Sequence, residues 1–385
     1  MGFNRDSLPD MLSVFCTIVD RNYLAQARVL VESFRNHNNR QDFVVLVIDG
    51  DAEDQEYLGD ARVLLLNNLS LPEELSIESR SYYDVVEFAT ALKPYLLQHL
   101  LLSSHYSTCT YLDPDIQVYS SLSEICELTL EHEILLTPHR LTPSNINRNS
   151  GEIAFLKYGI FNLGFISVSK NAIPMLNWWG ERLIRFGTRF PTENFFTDQK
   201  WIDFVPALFK CLVLKDPTLN LAPWNIDERL LSKLDNVICV GNIPLKFIHF
   251  SQMSSSLSFG KTTNLWNEAL FNVLDSQESL KIIENETINY SLNLTRYRKE
   301  IALDLASSIK ETKKITYKSM LLRRKRRDHY VRVDRIKDNA SIGNEWLLIF
   351  LNGLILRFER SFMFVYAVEG FRIDMSRIKA KFGRR

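Results

Sequence analysis

Asp113 and Asp115 stand one proline apart in the stretch TYLDPDIQVY, between apolar, β-branched and aromatic residues. Hard carboxylate oxygens suit Mg²⁺ or Mn²⁺, which proteins hold through a few acids together with phosphate oxygens. Asp and Pro are also ordinary turn formers, so a solvated turn is the alternative interpretation of an isolated D-x-D. The pattern predicts a divalent metal site, and the surrounding elements decide between the two interpretations.

The elements before this stretch predict a parallel sheet. MLSVFCTIVD has the pattern of a buried strand, NYLAQARVLVESFRNHN of a helix, and DFVVLVIDG of a second buried strand. This β-α-β order implies parallel strands with helices on the faces of the sheet, and such sheets bind ligands beyond the carboxyl ends of their strands. Because residues i and i+2 of a strand point to one side, we expect Asp113 and Asp115 to converge on that crevice.

Composition divides the chain into an acidic body and a basic tail. The 385 residues are 46% hydrophobic, enough for a substantial core, and the formal net charge is zero. Residues 313–385 hold 19 Lys and Arg against 7 Asp and Glu, so the first 312 residues carry 27 against 39. Five scattered cysteines without paired spacing argue against a disulfide framework or a zinc site and indicate a reducing compartment.

Several motifs occur in one order between about Met11 and Gln252. They are KPYLLQHLL with TYLDPDIQVYSSL, then GIFNLGFISV, FTDQKWID and FIHFS. In this order they resemble the nucleotide-sugar-dependent glycosyltransferases of the GT-A fold. The likeness is greatest to the retaining branch that contains glycogenin and the bacterial lipopolysaccharide galactosyl- and glucosyltransferases. The resemblance implies an α/β fold of the GT-A, Rossmann-like kind, with a mostly parallel sheet flanked by helices.

The resemblance also implies roles for single residues. Asp113, Asp115 and His249 would hold the metal, Mn²⁺ or Mg²⁺, and their mixed oxygen and nitrogen donors favour Mn²⁺. Asp198 and Gln199 would face the reacting sugar. The residues that would contact the nucleotide-sugar donor, expected to be a UDP-sugar, are Thr17, Asp20, Asn22, Lys93, Asp113, Asn162, Gly164 and Lys261.

Two positions depart from the family pattern. Relatives follow the late histidine with a glycine and then a lysine that grips the diphosphate, but here Lys261 lies twelve residues after His249. Relatives also place an arginine on the helix before the D-x-D strand. Lys93 is the candidate at that place, and a lysine lacks the bidentate fork of an arginine.

The residue type at position 199 bears on stereochemistry. Gln199 cannot serve as a general base, but its amide can stabilise an oxocarbenium-like state, which favours transfer with retention. An inverting enzyme needs a carboxylate base near the acceptor hydroxyl, and Asp198 is the candidate for that alternative. A further alternative is a non-catalytic GT-A-like scaffold or glycan-binding protein.

The last part of the chain predicts a surface contact. LLRRKRRDHY contains five consecutive cationic residues, Arg323–Arg327, and an apolar but interrupted segment follows. We expect a catalytic domain over 1–265, a helical linker over 266–312 and a helical, basic and amphipathic extension over 313–385. That extension would meet an anionic membrane surface or another subunit of a homo-oligomer. Without a reader motif, nucleic acid is not an expected partner.

The predicted acceptor and location follow from these features. A tail held at the cytoplasmic leaflet points to a glycan or lipid-linked glycan acceptor. No signal peptide and no run of about 20 apolar residues is evident, so the predicted location is cytoplasmic, with peripheral attachment to the inner face of the cell membrane.

Overall fold

The predicted alternation of buried strands and amphipathic helices is realised in the computed structural model, which describes residues 12–75, 83–103, 105–144, 152–189, 196–251, 253, 266 and 276–305. The strands are β1 Ser13–Val19, β2 Asp42–Val47, β3 Arg62–Leu65, β4 Thr108–Leu112, β5 Ile116–Val118, β6 Ile134–Pro138, β7 Phe161–Ser169, β8 Leu212–Val213, β9 Leu231–Leu234, β10 Val237–Val240, β11 Ile243–Pro244 and β12 Phe247–His249. The α-helices are α1 Leu24–Arg35, α2 Val85–Ala91, α3 Lys93–Leu102, α4 Ser123–His132, α5 Glu152–Tyr158, α6 Ile173–Leu183, α7 Gln199–Ile202, α8 Val205–Leu208 and α9 Gln277–Leu305.

Seven strands form the central sheet in the order β3-β2-β1-β4-β7-β6-β8. β3, β2, β1 and β4 are mutually parallel, and β8 is parallel to β6. β7 runs antiparallel to both of its neighbours, β4 and β6. The predicted α/β class with a mostly parallel sheet flanked by helices is therefore confirmed. All nine residues of β7 are buried, as expected for a strand at the centre of a sheet.

The apolar face of α1 covers the first two strands. Phe34 of α1 packs between Phe15 of β1 and Phe43 of β2, with ring centroids 4.7 Å and 4.9 Å apart. All three rings are buried, and burial of each contributes roughly 2–3 kcal/mol to folding. This packing fixes the β1–α1 connection, Asp20 to Tyr23, at the edge of the sheet where parallel strands end.

The two acids of the D-x-D motif lie in a turn, whereas the sequence predicted them on one strand end. β4 ends at Leu112 and β5 begins at Ile116, whose N–H donates to the carbonyl of Asp113 over 3.1 Å. Pro114 favours this turn because it fixes φ and has no N–H to pair. β5 then leaves the central sheet and pairs antiparallel with β12, with Ile116 opposite His249.

The predicted single helix DVVEFATALKPYLLQHLL is divided into α2 and α3. α2 begins with a capping box in which Asp84 and Glu87 bind each other's backbone N–H at 2.8–2.9 Å. Pro94 occupies the first turn of α3, where its missing N–H is tolerated. The division places Lys93 at the start of α3, beside the carboxyl end of β4.

The described residues belong to the first of two compact units, Met1–Arg324. Lys261, the run Arg323–Arg327 and the extension 313–385 lie outside the described residues. The domain boundaries at 265 and 312 therefore remain predictions. No helix in the part of the chain that the structure describes is long and apolar enough to cross a membrane.

Candidate active site

Asp113, Asp115 and His249 come together at the carboxyl edge of the sheet. One donor atom of each lies within 4.8 Å of the other two. His249 Nε2 is 3.0 Å from Asp115 Oδ1 and 3.8 Å from Asp113 Oδ2. The backbone holds the two acids in place, because Asp113 N–H donates to Gly164 O and Phe250 N–H donates to Asp115 O, each over 2.8 Å. The sequence predicted this convergence of residues that are far apart in the chain.

The donor set fits a divalent cation. His249 Nδ1 lies 3.3 Å from Asn220 Oδ1, a contact in which Nδ1–H donates, and Nε2 faces the acids. Two carboxylates and a lone pair repel one another unless a proton or a cation lies between them. Burial lowers the pKa of His249, but Asp115 and Asp113 raise it more, so the net pKa is above its ordinary value. The same field that attracts a proton attracts Mn²⁺ or Mg²⁺.

Gly164 makes room for the His249 ring. A Cβ added to Gly164 would lie 2.5 Å from His249 Cε1 and 2.7 Å from Nδ1. Any larger residue at this position would therefore displace the histidine. Gly164, a predicted site residue, has no side chain, and this allows β7 to approach β12.

Lys93 is a buried link between two acids. Its side chain is 3% exposed, and its Nζ lies 2.9 Å from Asp198 Oδ2 and 3.4 Å from Asp113 Oδ1. Nζ also donates to Leu163 O over 2.8 Å and lies 4.4 Å from the centre of the Tyr111 ring. Burial lowers the pKa of Lys93, but the two carboxylates raise it more, so the lysine is charged. An ammonium has three N–H groups, and here each faces an oxygen of the protein.

Asp198 and Gln199 occupy different positions relative to solvent. The Asp198 side chain is 2% exposed and faces Lys93. Gln199 is partly exposed at the first turn of α7, and both ends of its amide are held. Nε2 donates to Tyr158 O over 2.8 Å, and Oε1 accepts from Leu163 N–H over 3.1 Å. The amide dipole is thus fixed before any ligand binds.

A cavity of about 180 Å³ opens between the β1–α1 connection and the two acids. Asp20, Tyr23, Asp113 and Asp115 line one part of it. The other side chains around it are Ile18, Val19, Val85, Val86, Ala89, Thr90, Tyr111 and Pro114. Its combination of an apolar wall on α2 and acids at one end suits a flat ring joined to a polar group.

Two buried oxygens at the end of β1 lack a hydrogen-bond partner among the described residues. They are Oδ1 of Asp20, which lines the cavity, and Oγ1 of Thr17, which precedes the lining residue Ile18. Asp20 Oδ2 accepts from Asn22 Nδ2 over 2.9 Å, so only one oxygen of that carboxylate is satisfied. Burial raises the pKa of Asp20 above its ordinary value. Buried acceptors without donors are rare in native proteins and mark places where a ligand donor fits.

Sequence reasoning missed a set of buried amides behind the metal-site residues. Asn162 Oδ1 accepts from Gly164 N–H over 2.9 Å and from Asn220 Nδ2 over 3.0 Å, and Asn162 Nδ2 faces His139 Nε2 at 3.2 Å. Asn162, predicted to line the donor sugar, has both side-chain polar atoms engaged in this set. The only sequence signal for Asn220 was a polar residue between two leucines in LNLAPWN.

Trp224 contacts both His139 and the predicted metal ligand His249. The Trp224 ring meets His139 and His249 edge-on, with centroids 5.4 Å and 5.6 Å apart. The Trp224 carbonyl accepts from Arg140 Nη1 over 2.7 Å, and Arg140 also pairs with Asp227 at 2.7 Å. The loop after β6 is therefore anchored to the segment around Trp224.

Comparison with known proteins gives distant relatives. No protein-family model matches the chain. YfnF of Bacillus subtilis (strain 168), an uncharacterised protein, is 27% identical over 249 residues, which are 63% of this chain and 82% of YfnF. YfnD of the same bacterium, also uncharacterised, is 26% identical over 302 residues, 74% of this chain and 90% of YfnD.

Solved structures similar to the chain are glycosyltransferases. The galactosyltransferase LgtC, in complex with donor and acceptor sugar analogues, is 15% identical with a TM-score of 0.42 over 66% of this chain and 95% of LgtC. A glycosyltransferase involved in glycosylation of the major capsid of PBCV-1 is 12% identical with a TM-score of 0.37, over 63% and 94%. GlyE of Streptococcus pneumoniae TIGR4 is 14% identical with a TM-score of 0.40, over 80% and 67%.

Proposed function

We propose that the protein is a metal-dependent glycosyltransferase that moves a sugar from a nucleoside diphosphate carrier, UDP, to a glycan or lipid-linked glycan acceptor. The observation that carries the proposal is the Asp113, Asp115 and His249 donor set at the end of a cavity that also reaches Asp20. Such a set suits a cation that meets a diphosphate, and the cavity suits the attached nucleoside.

The cation would be held by the two carboxylates and His249 Nε2, and it would stabilise the negative charge that develops on the leaving diphosphate. The chain itself orients the ligands. Tyr111 donates to Asp113 Oδ1 over 2.9 Å and Lys93 lies at 3.4 Å from the same atom, so Oδ2 is directed toward His249. This fixed arrangement needs no reorganisation when the donor binds.

Gln199 supports transfer with retention. Its amide oxygen accepts one hydrogen bond from Leu163 N–H and keeps a second lone pair for a developing positive charge at the sugar. Asp198, the base of the inverting alternative, is 2% exposed and paired with Lys93, a position that suits structural support of Gln199. The anomeric configuration of the product, read by NMR, separates retention from inversion.

The nucleoside would bind beside β1. The unsatisfied oxygens of Asp20 and Thr17 are acceptors, and a uracil N–H or ribose hydroxyls are donors. The exposed ring of Tyr23 and the small side chains of α2 would cover the flat faces of the ligand. Asn22 orients Asp20 through the hydrogen bond between their side chains.

The tail would place the enzyme at its acceptor. Residues 313–385 carry the basic surplus, and we propose that they hold a cytoplasmic protein at the anionic inner face of the cell membrane, where lipid-linked glycans are made. Flotation with anionic and with neutral vesicles tests this part. Binding to neither would leave a subunit contact as the role of the tail.

The first experiment is a thermal-shift panel of nucleoside diphosphates and their sugars with and without Mn²⁺. A ligand that binds only the folded state raises the melting temperature by mass action. We expect a shift with UDP that requires both Mn²⁺ and Asp115, so Asp115→Ala abolishes it. Glu127→Ala, which removes an exposed carboxylate on α4, is the control and keeps the shift. Absence of a shift with every nucleotide would contradict the transferase and leave the scaffold alternative.

A further inference from the structure

The backbone N–H of Gly164 fixes the directions of the hydrogen bonds among the buried amides behind Asp113, Asp115 and His249. Gly164 N–H can only donate, and it points at one side-chain atom of Asn162 over 2.9 Å. That atom must be the amide oxygen, because the amide nitrogen has no lone pair to offer. The other end of Asn162, its Nδ2, then faces His139 Nε2 at 3.2 Å and donates to it.

The same reasoning fixes Asn220. Its Nδ2 lies 3.0 Å from Asn162 Oδ1, which is an acceptor, and 2.9 Å from Thr137 Oγ1. The amide nitrogen of Asn220 therefore donates twice, and its oxygen is the atom that faces His249 Nδ1 at 3.3 Å. An amide oxygen accepts only, so Nδ1 of His249 must carry a proton. All the side chains in this series are buried, and each polar atom named here has a partner within the protein.

We propose that Asn220 is a positioning residue that accepts from His249 Nδ1–H and so holds the imidazole ring with Nε2 directed at Asp113 and Asp115. The inference rests on the proposed function only in taking the ligand as a divalent cation. Histidines that bind metals usually donate their other N–H to a neighbouring group, and loss of that group weakens metal affinity about 10–100-fold.

The backbone at Asn220 explains the residue type. Its φ is +58°, in the left-handed region that few side chains other than Asn and Asp adopt readily. Asparagine thus satisfies the backbone and also presents a donor and an acceptor on one planar group. Asn225 steadies this conformation, because its Nδ2 donates to the carbonyl of Asn220 over 3.1 Å.

The test uses two variants of the full-length protein. Asn220→Gly removes the amide without strain at positive φ. Thr137→Val is the matched control, because it also removes a buried hydrogen bond to Asn220 but leaves Asn162 to orient the amide. The first readout is the orientation of the His249 ring in crystal structures of the metal-free wild type and of both variants. The second is the Mn²⁺ dissociation constant without nucleotide, measured by electron paramagnetic resonance.

We expect the His249 ring to keep its orientation in Thr137→Val and to rotate or become disordered in Asn220→Gly. The Mn²⁺ dissociation constant should rise about 10–100-fold in Asn220→Gly and stay within about twofold in Thr137→Val. An unchanged ring orientation or an unchanged Mn²⁺ affinity in a folded Asn220→Gly would overturn the inference. A wild type that binds no Mn²⁺ would contradict the proposed function instead, and the ring orientation in the metal-free variants would still decide the role of Asn220.

Discussion

Lys93 Nζ lies 2.9 Å from Asp198 Oδ2, and both side chains are almost completely buried. The same nitrogen lies 3.4 Å from Asp113 Oδ1, so one ammonium joins an acid of the metal-binding set to the residue that precedes Gln199. The two ends of the proposed donor-sugar site are therefore coupled through a single charge. Because the N–H groups of Lys93 already face oxygens of the protein, its charge positions Asp113 and Asp198 rather than binding a ligand.

Removal of that charge should destabilise the fold. Lys93→Met keeps the length of the side chain but leaves Asp198 buried without its cation, so we expect the free energy of unfolding to fall by about 3–5 kcal/mol. Adding Asp198→Asn removes the unpaired charge and should recover a large part of the loss. Denaturant unfolding of the wild type, both single variants and the double variant measures the coupling. Additive losses would mean that the two groups do not interact.

The held amide of Gln199 predicts a cost for a carboxylate there. In Gln199→Glu one oxygen would face the carbonyl of Tyr158 without a donor, so the variant should lose about 1–3 kcal/mol of stability at neutral pH. The protonated acid can donate to that carbonyl, which raises the pKa of the new glutamate in the folded state. Stability relative to the wild type should therefore recover as the pH falls toward 5.

A matched control for this variant exists at Gln55. Its Nε2 donates to Ala61 O over 2.7 Å and its Oε1 accepts from Val63 N–H over 3.0 Å, the same pair of bonds at an exposed site remote from the acids. We expect Gln199→Glu to lower kcat about 100-fold through loss of the fixed amide dipole, and Gln55→Glu to leave kcat unchanged. Equal effects of the two variants on kcat would argue against a role of Gln199 at the reacting centre.

Gly164→Ala should disturb the metal site specifically. The new Cβ would overlap the His249 ring, so we expect a stability loss of about 1–3 kcal/mol and weaker Mn²⁺ binding. Gly241→Ala is the control, because that glycine has φ +60° but no atom within 4 Å of an added Cβ. It should reduce stability through backbone strain and leave Mn²⁺ affinity unchanged. Calorimetric titration of both variants with Mn²⁺ distinguishes these effects.

His139 predicts a loss of stability in acid. Burial lowers the pKa of His139 to about 4, and the unfolded chain has the ordinary value near 6.5. Between these values the unfolded state binds a proton that the folded state does not, so stability falls as the pH decreases through this window. Between neutral pH and pH 5 the loss is about 2 kcal/mol. His139→Gln should lack this component, so its stability gap to the wild type should narrow in acid; parallel profiles would contradict the prediction.

The sequence was sufficient to predict those elements whose structure depends on the local pattern of residues. The buried strands, the β1–α1–β2 unit and the convergence of Asp113, Asp115 and His249 follow from periodicity, residue type and resemblance. The turn between β4 and β5 was missed because YLDPDIQV is apolar on both sides of the Asp-Pro-Asp triplet and has the pattern of one continuous strand. Only the pairing of β5 with β12, far along the chain, shows that a second sheet begins there.

The partners of polar groups were harder to predict. Lys93 was assigned to the donor from its place before the D-x-D motif, and the structure places it among Leu163 O, Asp113 and Asp198. Asn220 received no role because its neighbours His249 and Asn162 are distant in sequence. Which atoms a buried lysine or amide meets depends on tertiary packing, and residue types alone do not contain that information.

The pairing of β5 with β12 has a consequence during synthesis of the protein on the ribosome. The acids at 113 and 115 leave the ribosome long before His249 does, and β12 is the element that carries the histidine to them. Contacts so distant in sequence form late because a long loop has to close first. During synthesis a nascent chain that ends before residue 247 holds both acids and no third donor. In the proposed function the metal site is therefore completed only once β12 has been synthesised, and fragments that end before β12 lack it.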